Sequence, residues 1–213
     1  MPQAAKGAAA SAKGSAGIAP KGALPRRPLP VPDEPLALTR PVFFVGFMGA
    51  GKTSVARRLA RTCRIASVDM DTYLERREDR KITEIFATDG EAGFRAIETD
   101  VLRELAAKED PLLVSCGGGV VVTPENREIF AESGFVIHLE VTADEAASRI
   151  RDTSTRPLFQ DIESARSRCL ERQPLYEAVA DATVGTAGKS VPAIAREVQR
   201  ILEKEGILCP RQK

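Results

Sequence analysis

Gly46-Phe47-Met48-Gly49-Ala50-Gly51-Lys52-Thr53 fits the spacing G-x-x-x-x-G-K-[ST], a loop built to bind phosphate. The chemistry follows from the residue types. Glycines let a backbone curl around an anion with no Cβ in the way. The unpaired amides of a following helix, at the positive end of its dipole, then face that anion. Lys52 can reach the β- and γ-phosphates of a nucleoside triphosphate, and the Thr53 hydroxyl suits Mg²⁺. Gly49, Ala50, Gly51, Lys52, Thr53 and Ser54 are therefore the candidate nucleotide-binding residues, with Thr53 also a candidate metal ligand. The flanks agree. Val42-Phe43-Phe44-Val45 reads as a buried parallel strand, and Ser54-Val55-Ala56-Arg57-Arg58-Leu59-Ala60 reads as a helix.

Further along, Asp69-Met70-Asp71 follows the short apolar run from Ile65 to Val68. A strand ending there delivers two carboxylates to the edge where open α/β sheets bind ligands. One carboxylate can help hold Mg²⁺, directly or through water. The other can accept a hydrogen bond from a substrate hydroxyl and orient or deprotonate it. The competing reading is a helix cap, a common place for Asp. Gly117-Gly118-Gly119 also follows a strand, Leu112-Leu113-Val114, and leaves the backbone open to close approach. Cys116 has no nearby base and reads as a small packing residue. Arg95, Arg156 and Arg172 each sit in a distinctive local string and carry a planar fork suited to carboxylate or phosphate. His138, the only histidine, lies within an apolar strand and reads as a hydrogen-bonded structural residue.

Strands must alternate with helices to bring these groups to one edge. Beyond the runs already named, helical patterns cover Ile82 to Phe86, Phe94 to Leu105, Ala143 to about Ile150, Ile162 to Val179 and Val191 to Glu203, with a break at Gly90. Phe135 to Val141 and Ala182-Thr183-Val184 complete the strands. Strand–helix alternation implies βαβ units and a parallel sheet covered on both faces.

The rest of the chain bounds the possibilities. Thirty-one basic against thirty acidic residues leave no global field for nucleic acid or membrane. No apolar run approaches the roughly 18 residues of a membrane-spanning helix. Four scattered cysteines match neither zinc nor a disulfide framework and fit reduced thiols in the cytoplasm. Residues 1–40 have no acid before Asp33 and too little apolar surface to offset the entropy of ordering. They are expected to form a disordered basic Ala/Gly/Pro-rich tail, followed by a P-loop domain at 41–205 and a short C-terminal tail at 206–213. The tail lacks the Arg/Ser density and amphipathic pattern of an organelle transit peptide, and no apolar stretch marks a secretory signal.

In this order, G-F-M-G-A-G-K-T, D-M-D, G-E-A-G-F-R-A-I-E, C-G-G-G, R-P-L-F and R-Q-P-L-Y resemble shikimate kinase from about Pro41 to Glu203. The resemblance implies a monomeric α/β P-loop fold of three layers, with a five-stranded parallel sheet between helices and a mobile lid. It implies ATP-dependent phosphorylation of the shikimate 3-hydroxyl, with Mg²⁺. On the matching positions Asp71 binds the shikimate hydroxyls and Asp69 lies near Mg²⁺. Arg95 and Arg172 clamp the carboxylate, Glu98 positions Arg95, and Gly117, Gly118 and Gly119 approach the ring. Arg156 is the lid arginine reaching the phosphates, and Arg149 matches an arginine packed near adenine. The lid string usually reads R-P-L-L, and Phe159 stands at its last position. The nearest rival is a kinase for another polyol acid such as gluconate. A GTPase switch would need N-K-x-D, which is absent, and a DNA-binding regulator would need a module that the tail is too short to form.

Overall fold

In the computed structural model, residues 36–142, 144–146 and 162–211 are described. Arg149, Arg156 and the expected lid lie outside them, as does most of the expected helix at 143–150.

Five strands form one parallel sheet. They are β2 (Val42–Val45), β3 (Ser67–Asp69), β4 (Leu113–Ser115), β5 (Phe135–Glu140) and β6 (Ala182–Gly185), in the order β3-β4-β2-β5-β6. The apolar run from Val42 to Val45 earns the central place, since every residue in it is buried. Parallel pairing aligns Val42 with both Leu113 and Phe135 and aligns Asp69 with Ser115. All five C-termini therefore share one edge. Chain order reverses at β2, between β4 and β5, and such switch points open a ligand crevice.

Helices cover both faces. α1 (Lys52–Cys63) turns Val55, Ala56, Leu59 and Cys63 inward. It packs against α6 (Val191–Lys204), whose buried stripe is Ile194, Ala195, Val198 and Leu202. α2 (Met70–Glu78) and α3 (Ile82–Ala106) follow β3, while α4 (Pro124–Ser133) and α5 (Ile162–Val179) flank β5. The break expected at Gly90 is present inside α3, where φ is 69° and ψ −174°. Beneath the sheet, the Phe43 and Phe130 rings meet at 5.0 Å, and truncating a buried ring of this kind costs about 3–5 kcal/mol.

The expected domain bounds of 41 and 205 leave out a two-stranded antiparallel ribbon. β1 (Leu36–Leu38) pairs with β7 (Leu208–Pro210), and the Thr39 amide donates to the Ile207 carbonyl at 2.9 Å. Leu38, Ile207 and Leu208 are buried, so apolar contact holds this ribbon to the domain. Segments of three residues carry too little periodicity to announce themselves. The second strand also begins two residues later than expected, because Ile65 and Ala66 belong to the connection from α1.

Candidate active site

Four loops or helix starts meet at the C-terminal edge of the sheet. The first follows β2. Gly51 caps α1 with φ 90°, a left-handed conformation that favours glycine, and the helix begins at Lys52 itself. Lys52 is only 9% exposed, and its ammonium donates to the carbonyls of Gly46 at 2.8 Å and Phe47 at 3.1 Å. The charge is thus held over the loop's own backbone.

Beside it lies a small cluster of oxygens. The Thr53 hydroxyl donates to Asp69 Oδ2 at 2.7 Å and lies 2.9 Å from the Ser115 hydroxyl. Asp69 Oδ1 accepts from the Thr72 amide and hydroxyl, both at 3.1 Å, and so caps α2. The two sequence readings of Asp69 are therefore compatible, one oxygen per role. Hard oxygens grouped beside a phosphate loop are a donor set that suits Mg²⁺. Ser115 escaped the sequence reading, although it is the last residue of β4 and the register partner of Asp69.

A cavity of about 520 Å³ opens next to this cluster, between α2, α3, α5 and the glycine loop. Asp71, Arg95, Glu98, Gly117, Gly118, Gly119 and Arg172 all line it, with Met48, Phe86 and Phe94 as its main apolar wall. Four positions from three helices and a triglycine loop thus line one cavity. Arg95 Nη1 donates to Glu98 Oε2 at 2.6 Å, and Nη2 donates to Glu91 Oε1 at 3.2 Å. Glu98 is 2% exposed. Burial raises its proton affinity above the usual carboxylate value and the Asp71 charge adds to this, while Arg95 and Arg172 oppose it. Arg95 loses proton affinity to burial but regains more from Glu98 and Glu91, and remains a cation.

The glycine loop is compressed between these groups. A Cβ on Gly119 would lie 2.6 Å from Arg95 Nη2, and one on Gly117 would lie 2.9 Å from Asp71 Oδ1. Gly118 faces the phosphate loop, where its Cβ would stand 3.6 Å from the Met48 amide nitrogen. Its carbonyl accepts from Arg172 Nη1 at 3.2 Å and from the Tyr176 hydroxyl. Tyr176 stacks on His138, with centroids 5.3 Å apart and planes at 21°. His138 differs from its expected hydrogen-bonded role. It is 1% exposed, its Nδ1 has no hydrogen-bond partner, and burial lowers its proton affinity. Cys116 is buried with its thiol pushed far up by burial, in line with a packing residue.

The arrangement puts two guanidinium groups and three carboxylates around a small cavity, one loop away from a phosphate cradle. It is suited to hold a small anionic polyol against a phosphoryl donor. Met48, Phe86 and Tyr176 complete the site without having been singled out for it. Phe86 carried only a helical period in the sequence and Phe94 also a place in the string before Arg95, and their stack at 4.5 Å forms part of the cavity wall.

A protein-family model described as shikimate kinase matches residues 48–203. The shikimate kinase of Halorhodospira halophila is 41% identical over 165 residues, covering 76% of this chain and 93% of its own. That of Geobacter metallireducens is 39% identical over 167 residues, covering 77% and 92%. Among solved structures, the Acinetobacter baumannii shikimate kinase in complex with shikimate superposes with a TM-score of 0.73 at 33% identity, covering 78% of this chain and 94% of that one. The Aquifex aeolicus enzyme gives 0.68 at 29% identity, covering 78% and 98%.

Proposed function

The chain belongs to the shikimate kinase family, and we propose that it performs the family's reaction through the residues assembled at this edge. The reaction is ATP-dependent phosphorylation of shikimate at its 3-hydroxyl, giving shikimate 3-phosphate and ADP. One observation carries the division of roles: Arg95, Arg172 and Asp71 line a single cavity that meets the phosphate loop at Met48 and Gly118. Shikimate needs a cation for its carboxylate and a carboxylate for its hydroxyls, and this cavity offers both.

Arg95 and Arg172 take the carboxylate, and Glu98 holds the Arg95 guanidinium in the plane it needs. Asp71 accepts a hydrogen bond from the acceptor hydroxyl and orients or deprotonates it. As the hydroxyl oxygen bonds to the γ-phosphorus, the bond to the β-phosphate oxygen breaks and the hydroxyl proton is lost. Lys52 and the backbone amides opening α1 stabilise the charge on the transferring group. Gly49, Ala50, Gly51, Thr53 and Ser54 complete the cradle. Thr53 and Asp69 would hold Mg²⁺, which when bound neutralises phosphate charge. Gly117, Gly118 and Gly119 admit the ring to the cavity floor. The family resemblance assigns Arg156 to the phosphates and Arg149 to the adenine, and both lie outside the described residues. Among the described residues, one copy of the chain supplies every group named, which supports a monomer. Its cysteines are all free, which fits the cytoplasm.

A coupled assay of ADP release with Mg-ATP tests this reading against shikimate, quinate, gluconate and no acceptor. Turnover is expected with shikimate alone. Turnover with gluconate in its place would keep the fold and overturn the substrate.

A further inference from the structure

Both donors to the Gly118 carbonyl come from α5, one turn apart. Arg172 contributes one of its five N–H groups at 3.2 Å, and Tyr176 contributes its hydroxyl. Tyr176 is fully buried, and burial pushes its phenol well above the ordinary value, so it stays a donor across the neutral range. Its ring lies on His138. His138 in turn sits under the phosphate loop, with its Cδ2 3.5 Å from where a Cβ on Gly46 would stand. Gly118 reaches the same loop, where a Cβ on it would stand 3.6 Å from the Met48 amide nitrogen and 3.8 Å from the Gly46 carbonyl oxygen. One buried side chain therefore contacts the acceptor loop directly and the phosphate loop through a single stacked ring. Those two loops must hold a fixed distance for an acceptor oxygen to meet a γ-phosphorus in line.

We propose that Tyr176 is a positioning residue for phosphoryl transfer. Its hydroxyl fixes the Gly118 carbonyl and so sets the Gly117–Gly119 loop against the phosphate loop. By sharing that carbonyl it also leaves the remaining Arg172 donors for the acceptor's carboxylate, a clause that rests on the reading of Arg172 given above. The ring of Tyr176 is kept in place by His138, and the hydroxyl alone provides the alignment.

Tyr176→Phe separates alignment from packing, because the ring stays and only the hydroxyl goes. Steady-state kinetics of the full chain with Mg-ATP and shikimate are expected to show kcat reduced about tenfold, as small misplacements of reacting groups produce. The KM for shikimate should stay within about threefold of wild type, since the carboxylate ligands remain. Arg172→Lys, measured in parallel, should do the reverse and chiefly raise that KM. A Tyr176→Phe enzyme with wild-type kcat and only a lowered melting temperature would mean that the residue is structural, and the proposal fails. An equally large rise in KM at unchanged kcat also overturns it. An unchanged KM in Arg172→Lys removes the carboxylate clamp and the Arg172 clause, while the kcat result still decides the role of Tyr176. Should Tyr176→Phe fail to fold, His138→Leu takes the stacked ring from beneath Tyr176. A fall in kcat then supports the alignment, and a wild-type kcat overturns it.

Discussion

The phosphate half of the cleft is made of backbone, and the acceptor half is made of side chains. In the first, a glycine at φ 90° starts α1, the helix amides face outward, and Lys52 folds back onto two carbonyls of its own loop. In the second, Asp71, Arg95, Glu98 and Arg172 come from α2, α3 and α5 and neutralise one another around a cavity. A backbone cradle reads any phosphate chain and depends on conformation. A cluster of buried charges reads one acceptor and depends on balance, because an ion left without its partner there is costly. On the proposed assignment, affinity for the donor and identity of the acceptor are set by separate pieces of chain.

The sharpest way to break that separation is to remove the lysine held over the phosphate loop. Lys52→Ala should lower kcat by about a thousandfold, through lost stabilisation of charge in the transition state. The KM for shikimate should change little, because Lys52 is held over the carbonyls of the phosphate loop while Arg95 and Arg172 line the acceptor cavity. Steady-state kinetics at saturating ATP decide the point. A comparable rise in shikimate KM would show that the halves are not independent.

The two halves also differed in how far the sequence revealed them. The phosphate loop is contiguous, and its glycines stand at spacings that only one local geometry explains, so strand, loop and helix were readable together. The five parallel strands were readable for a similar reason, as apolar runs ending in turn or acidic residues. The acceptor half spans positions 71 to 172, and nothing in Arg95 or Arg172 by itself separates a ligand from a surface arginine. Their shared cavity followed from family resemblance and became visible only when α2, α3 and α5 were placed. Ser115 went unnoticed, and Tyr176 was read only as the end of the R-Q-P-L-Y string, because their roles are set by a register partner and by a carbonyl 58 residues away. The β1–β7 ribbon was missed because its pairing joins the two ends of the domain.

A smaller change probes the acceptor half at its tightest contact. In Gly119→Ala the new methyl would meet the Arg95 guanidinium at 2.6 Å. The end of an arginine can move, but this one is held by Glu98 at 2.6 Å, so the methyl strains that pair rather than the backbone. The KM for shikimate should rise about tenfold with kcat less affected, and overpacking should cost about 1–3 kcal/mol of stability. Titrating shikimate calorimetrically with and without ATP would show whether the loss is confined to the acceptor. Loss of ATP affinity of the same size would move Gly119 into the phosphate half.

The smallest expected effect concerns His138, which belongs to neither half and lies between them. Burial lowers its proton affinity below the unperturbed 6.5, with Lys52 acting in the same direction and Glu140 and Glu177 against it. The unfolded chain therefore binds more protons than the folded one between that value and the depressed one. Stability contributed by the neutral ring is fully present above pH 6.5 and declines as pH falls through the folded value. Glu98 acts with the opposite sign. Its raised proton affinity makes the folded carboxyl hold its proton above 4.5, so its burial weighs against stability as pH rises. His138→Phe keeps an aromatic partner for Tyr176 and removes the histidine titration alone. Melting temperatures measured from about pH 8 to pH 5 should fall less steeply for this variant than for wild type below 6.5. Parallel curves would mean that His138 is protonated as readily in the fold as outside it, and that the ring beneath the phosphate loop is not held neutral by its surroundings.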